Sequence, residues 1–319
     1  MTHEVETMMY TNEVPWHGLG QYVGDEPLRS RDAIIKAGLD WNVELQELYA
    51  GDGTEENLIG VPLHKAIVRP ADNSILGVVG NRYQPVQNVE AFEFMDNLVN
   101  DGSMRYHTAG SLRGGRNVWL LGQTGSFDVV PGDQVDKYLL LWNSHDGSSA
   151  LKCLFTSVRV VCANTARVAL ANGSMDGIKI HHTANIMNNL HQAKEVLGFA
   201  NASFDIFEQN SKNLTTRQMN TQSLERFVTH LFPYPKEDVK SYAAEKARDQ
   251  VTRLFEEGKG NDMVGVKGTR WAAFNAVTEY SNFHKNMRGE HKQERRFEAT
   301  MIGSGVHLIQ RAQYMLNAA

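Results

Sequence analysis

Apolar and polar residues alternate with a period of two through much of the first half of the chain, then change to helical spacing in the second. Asp40-Trp-Asn-Val-Glu-Leu-Gln-Glu-Leu48 has the rhythm of a half-buried strand. His64–Arg69 and Ile75–Val79 flank the turn residues Pro70-Ala-Asp-Asn-Ser74 and predict a hairpin. Met104–Leu112 and Arg116–Gln123, joined by Arg113-Gly-Gly, predict a second. Tyr138–Asn143 and Ser149–Phe155 predict a third, around Ser144-His-Asp-Gly-Ser148, and Ile178–Thr183 a last short strand. Polar Gly51–Asn57 reads as a hairpin loop, and Val14-Pro-Trp-His-Gly-Leu-Gly20 as an irregular, tightly turning one.

Helical signals interrupt the strands. Ser30–Gly38 predicts a short helix with Ser30 as N-cap, and Asn88–Val99 another, with Val89, Phe92 and Val99 at helical spacing. Thr156-Ser157 is expected to cap a helix from Val158 to Asn172, closed by Gly173, with Val158, Val161, Cys162, Thr165, Val168 and Ala169 on one face. Residues 185–212, 221–232, 236–257, 269–286 and 293–316 all read as helical. The expected fold class is therefore α+β. An antiparallel sheet with packed helices occupies 1–184, including a strand-binding sheet and helix over 60–172, and a helical region occupies 185–319.

Composition narrows the function classes. A chain of 319 residues, 41% hydrophobic and 22% charged, is that of an ordinary globular protein. No apolar run approaches the about 18 residues needed to span a bilayer, so no membrane contact is expected. The acidic start Met1-Thr-His-Glu-Val-Glu6 lacks the basic and apolar stretches of a secretory leader. Cys153 and Cys162 make no disulfide framework and are expected to be reduced, buried thiols of a cytoplasmic protein. The net charge of −5 is uneven: the first 60 residues hold three Lys/Arg against twelve Asp/Glu, a balance of −9, and the rest carry +4. This is not the basic face of a duplex-DNA binder, but it permits a local basic groove.

Several patterns could carry chemistry. Ser144-His145-Asp146 with Ser148 and Ser149 could form a catalytic loop, although the same residues are those of a hairpin turn and no GxSxG elbow occurs. A metal could draw on His17, His64, His107, His145 and His181-His182, but no ligand spacing is present and adjacent strand residues face opposite ways. Gly110-Ser-Leu-Arg-Gly-Gly-Arg116 lacks the ending of a phosphate loop and sits between strands.

The pattern favoured is a basic–aromatic one. Arg105, Arg113 and Arg116 belong to the second hairpin. Lys152 precedes the expected helix from Val158, and Arg159 and Arg167 lie within it, about 80° apart at eight residues' separation. Tyr83, Tyr106, Trp119 and Trp142 are interleaved with these cations. Cations that track phosphates and rings that stack bases are what a single strand requires. The alternative for the tryptophans is a place in the core. A second basic cluster, Lys285, Arg288, Lys292, Arg295 and Arg296, surrounds the Arg288–His291 turn.

Pro15–Gly20, Arg82-Tyr-Gln-Pro-Val-Gln-Asn88, Leu141-Trp-Asn-Ser-His-Asp-Gly-Ser-Ser-Ala150, Phe155–Thr165 and Gly268–Tyr280 together resemble the phage- and plasmid-borne proteins grouped as domain of unknown function 932. The resemblance spans about residues 8–316. It implies a protein of a mobile element, and more distantly an architecture similar to phage single-strand annealing proteins that assemble into rings or filaments.

The expectation is a non-enzymatic, homo-oligomeric protein without a cofactor that binds and anneals single-stranded DNA. Arg105, Arg113, Arg116, Lys152, Arg159 and Arg167 would hold phosphates; Tyr83, Tyr106 and Trp142 would stack bases. One alternative is a metal-dependent hydrolase or nuclease using His145 and Asp146 with His181 or His182. Another is a factor that binds a host-defence protein through the acidic first 60 residues.

Overall fold

A computed structural model describes residues 5–11, 20–24, 28, 30–51, 57–100, 102, 104–162, 164–168, 177–180, 193–235, 241–287, 289 and 292–318. Its strands fall mainly in the N-terminal half and its helices in the C-terminal half, an α+β fold.

The larger sheet contains β1 (Val5–Tyr10), β2 (Gln21–Tyr22), β6 (Arg105–Leu112), β7 (Asn117–Asp128), β8 (Gln134–Ser144), β9 (Leu151–Arg159), β10 (Asn164–Val168) and β11 (Ile178–Ile180). Its order is β10-β9-β8-β7-β6-β1-β2, with β11 also paired to β9. β10 takes residues 155–159 of β9 and β11 takes 151–153, so the outer edge of β9 is paired along most of its length. The smaller sheet is the antiparallel run β3 (Glu44–Ala50), β4 (Ile59–Arg69) and β5 (Ser74–Gly80).

Most expected elements form. The β4–β5, β6–β7 and β8–β9 hairpins are present, as are α1 (Ser30–Lys36) and α2 (Asn88–Asn100). The helix expected from Val158 to Asn172 is not. Its first part is the end of β9, a turn through Val160 and Cys162, and β10, where Thr165 opposes Val158 and Arg167 opposes Thr156. Thr156, Val158, Val160, Val161, Thr165 and Val168 are all β-branched, so they lose χ1 freedom in a helix and pack well on a pleated surface. That composition outweighs the helical spacing. The expected cap Gly173 lies outside the described residues.

The later helices are α3 (Ala193–Thr215), α4 (Thr221–Leu231), α5 (Tyr242–Glu257), α6 (Arg270–Glu279), a single π-helical turn (Tyr280–His284), α7 (Lys292–Met301) and α8 (Ser304–Ala318). The single helix expected over 293–316 is broken at Ile302-Gly303, where Gly303 N donates back to Glu298 O (3.0 Å).

Contacts divide the chain into two compact units that interleave in sequence. The first takes Met1–Thr124, Leu139–Leu154 and Asp176–Phe199; the second takes Gly125–Tyr138, Phe155–Met175 and Ala200–Ala319. The first buries Ala33, Leu39, Phe92, Met95, Trp119 and Trp142. In the second, α6 is buried from Trp271 to Glu279, and its polar members are satisfied locally, with Asn275 Nδ2 donating to Trp271 O (2.9 Å) and Thr278 Oγ1 to Asn275 O (2.9 Å). Phe207 packs edge-on to Phe274, and Trp271 stacks on Phe274.

Candidate nucleic-acid interface

In the first unit the β6–β7 turn is shaped by three successive residues in the left-handed region, Arg113 (φ 56°), Gly114 (66°) and Gly115 (87°). Gly115 is required: a Cβ there would stand 2.8 Å from Arg69 Nη1 and 3.1 Å from the Trp41 ring. Those two groups form a cation–π pair beneath the turn, with the guanidinium carbon 5.0 Å from the ring centroid. Arg113 and Arg116 are exposed on either side of the two glycines.

The β8–β9 turn lies alongside, with His145 N donating to Arg116 O (2.7 Å). Ser144 Oγ donates to Asp146 Oδ1 (2.6 Å) and shares a hydrogen bond with Ser148 Oγ (2.9 Å), while Ser148 N donates to the same Oδ1 (2.8 Å). Burial alone would raise the Asp146 carboxyl; the bonds from Ser144 and Ser148, with the nearby Arg113 guanidinium, outweigh it and hold the group below its ordinary range. This is the hydrogen-bonding of an Asx turn.

His145 is sealed, 0% exposed, with its ring 5.3 Å from that of Trp41. Asn88 Nδ2 donates to Leu39 O (3.0 Å) and Trp41 O (3.3 Å), which leaves Asn88 Oδ1 to accept from His145 Nε2 (2.9 Å). Asn143 Nδ2 donates to Val86 O, and Tyr83 OH donates to Ser144 O (3.1 Å). The stretches 82–88 and 141–150 therefore converge on one cluster. It holds the turn in shape, and its imidazole is closed to solvent.

The expected site residues separate. Arg113, Arg116 and half-buried Tyr83 stand around this cluster. Lys152, half-buried near the start of β9, lies directly opposite exposed Lys179 of β11, which brings two cations to one face. Arg105 is exposed but opens β6 at the end away from the turn. Eight residues of strand place it about 25 Å from Arg113. Tyr106 and Trp142 are 3% and 1% exposed, so their ring faces are not open to a base. Tyr106 OH instead donates to Asp96 Oδ1 (2.8 Å) beneath α2. Trp119 is buried as well.

The two remaining arginines belong to the second unit. Arg159 is 2% exposed; its Nε donates to Asp133 Oδ1 (2.6 Å), its Nη1 to Lys259 O (3.1 Å), and its Nη2 to Gly260 O (2.9 Å). Arg167, 6% exposed, is buried on β10. Neither presents its charge to a polyanion in solvent. Asp133 is the residue the sequence reading missed. It looks like an ordinary member of the Pro131-Gly-Asp133 turn, yet it is fully buried and also accepts from Trp271 Nε1 (2.8 Å).

Among the described residues no three His, Cys, Asp or Glu side chains stand close enough together to hold a metal ion. His17, His181, His182, Arg288 and His291 lie outside the described residues. No described helix is long and apolar enough to cross a membrane. Comparison with known families finds one described as domain of unknown function (DUF932), matching residues 75–301. No curated protein and no solved structure matches the chain.

Proposed function

The chain belongs to the family described as domain of unknown function (DUF932), and from that premise we propose that it binds single-stranded DNA, without catalysing a reaction, at the turn end of the first unit's sheet. The observation that carries this reading is the pair Arg113 and Arg116, both exposed on one two-glycine turn beside Tyr83. Lys152 and Lys179, opposite one another across β9 and β11, extend the positive charge. Backbone phosphates would be held by these cations and a base would stack on Tyr83, a mode that needs no sequence reading.

Annealing by a homo-oligomer, in a phage or plasmid setting and in the cytoplasm, is the fuller form of the proposal. Its oligomeric part is supported by the β3–β4 arm, on which Tyr49, Leu58, Ile59 and Leu63 are each more than half exposed.

Fluorescence anisotropy of a labelled oligothymidine across a salt series tests the binding. Affinity is expected to fall with salt by about 0.7 in log–log slope for each phosphate neutralised. Arg113→Asn with Arg116→Gln is expected to flatten the slope by about two such contacts, or about 1.4. Asparagine tolerates the left-handed backbone at position 113. An unchanged slope, or no binding by the wild type, overturns the reading.

A further inference from the structure

The second unit contains a cleft of about 450 Å³ between α4, α5, the π-helical turn and α8. One wall is a single face of α8: Ser304, His307, Leu308 and Arg311 follow the i, i+3, i+4, i+7 spacing that aligns side chains along a helix. Phe232 and Tyr280 form an aromatic wall, their rings 5.6 Å apart and nearly perpendicular. Lys285 enters just beyond the π-turn, which closes with Lys285 N donating to Tyr280 O (2.7 Å). Such a widened turn re-aims the residue that follows it and recurs at functional sites.

Three basic side chains, Lys285, His307 and Arg311, line this cleft, and none of its described lining residues is acidic. Lys285 is half-buried, and its Nζ donates to Ser304 Oγ (3.2 Å), a neutral acceptor. Desolvation lowers its ammonium below the ordinary lysine range. An anion bound here would restore the interaction that burial removes. Arg311 also donates to Leu231 O, which fixes its guanidinium at the rim. The volume is that of a small-molecule site, and the mixture of apolar walls with a few convergent polar groups is the usual composition of one.

We propose that this cleft binds a small organic phosphate, a phosphate monoester on a planar or apolar body, with the phosphate among Lys285, His307 and Arg311 and the body against Phe232 and Tyr280. A phosphate is favoured over a carboxylate because Lys285, His307 and Arg311 together offer more donors than two carboxylate oxygens would use. The site lies wholly in the second unit and does not depend on strand binding by the first.

Isothermal titration calorimetry of the full chain with adenosine 5′-monophosphate, adenosine and inorganic phosphate, all without DNA, tests it. The monophosphate is expected to bind saturably and at least tenfold more tightly than either fragment. His307→Ala, an exposed position, and Lys285→Met are each expected to weaken it about tenfold or more, with far-ultraviolet circular dichroism unchanged. If Lys285→Met does not fold, His307→Ala decides alone. No saturable binding of the monophosphate, equal binding of inorganic phosphate, or an unchanged Kd in a folded variant overturns the proposal.

Discussion

Arg159 Nε meets Asp133 Oδ1 at 2.6 Å, and both side chains are sealed from solvent, at 2% and 0% exposure. The pair joins β9 to the β7–β8 turn, and Trp271 Nε1 fixes the second carboxylate oxygen from α6. Removing one member of a buried pair leaves the other charge desolvated and uncompensated, which costs about 3–5 kcal/mol. Asp133→Ala and Arg159→Ala are each expected to lose about that much in urea unfolding. Replacing both by apolar residues, Asp133→Leu with Arg159→Met, is expected to recover a substantial part. Single variants within about 1 kcal/mol of the wild type would show that the pair contributes no structural stability.

That pair also shows what a linear reading loses. Arg159 and Arg167 looked like two surface charges of one amphipathic helix, because valines and small residues recur there at helical spacing. Thr156, Val158, Thr165 and Val168 are β-branched, and the hairpin they help to form is buried along nearly all of its length, the arginines with it. The strand hairpins were legible because a two-residue period and turn residues are local signals, and α1 and α2 because helical spacing is another. So were α4 to α6: Asn220 and Thr269 cap α4 and α6 at the expected starts, whereas Ser241 caps α5 five residues past the expected start at 236.

Burial was not legible. Trp142 and Tyr106 would carry the same local pattern as stacking platforms, and only the strands and helices packed over them decide. Asp133 in a Pro-Gly-Asp turn gave no sign of its partner, since Arg159 and Trp271 lie 26 and 138 residues away.

Tyr83 separates stacking from structure, because its ring is half-buried while its hydroxyl donates to Ser144 O. Tyr83→Phe keeps the ring and loses that bond, at a cost of about 1 kcal/mol in stability. Tyr83→Ala loses both. If a base stacks here, oligothymidine affinity is expected to be unchanged in Tyr83→Phe and to fall by about 1–3 kcal/mol in Tyr83→Ala. Equal affinity in the two variants removes Tyr83 from the interface.

Gly77 on β5 is where the smaller sheet meets the β8–β9 turn. A Cβ there would lie 2.6 Å from Asp146 O and 2.7 Å from Asp146 Cα, both backbone atoms that no rotamer change can move aside. Gly77→Ala is therefore expected to destabilise the chain by about 1–3 kcal/mol, the usual cost of overpacking. Gly102→Ala supplies the comparison: nothing stands within 4 Å of its Cβ, and its φ of 78° brings only backbone strain. A loss at position 77 no larger than that at 102 would place the close approach outside the forces that hold the turn.

His107 gives the fold a pH dependence of definite sign. It occupies the irregularity in β6 between Tyr106 and Thr108, where the pairing with β7 shifts register. Burial lowers its imidazole from 6.5 to about 4. Well above pH 6.5 the ring is neutral in both the folded and unfolded chain and contributes nothing to the pH slope. Between pH 6.5 and 4 the unfolded chain binds a proton that the folded chain does not, so stability falls as pH falls through that window. The full effect is about 3 kcal/mol, reached near pH 4, and it levels off below. Urea midpoints of the wild type and His107→Asn from pH 7.5 to 4 measure it as a difference, which cancels the carboxylates common to both. The variant is expected to lose less stability over that range. Parallel curves would mean that His107 takes up its proton as readily in the folded chain as in the unfolded one.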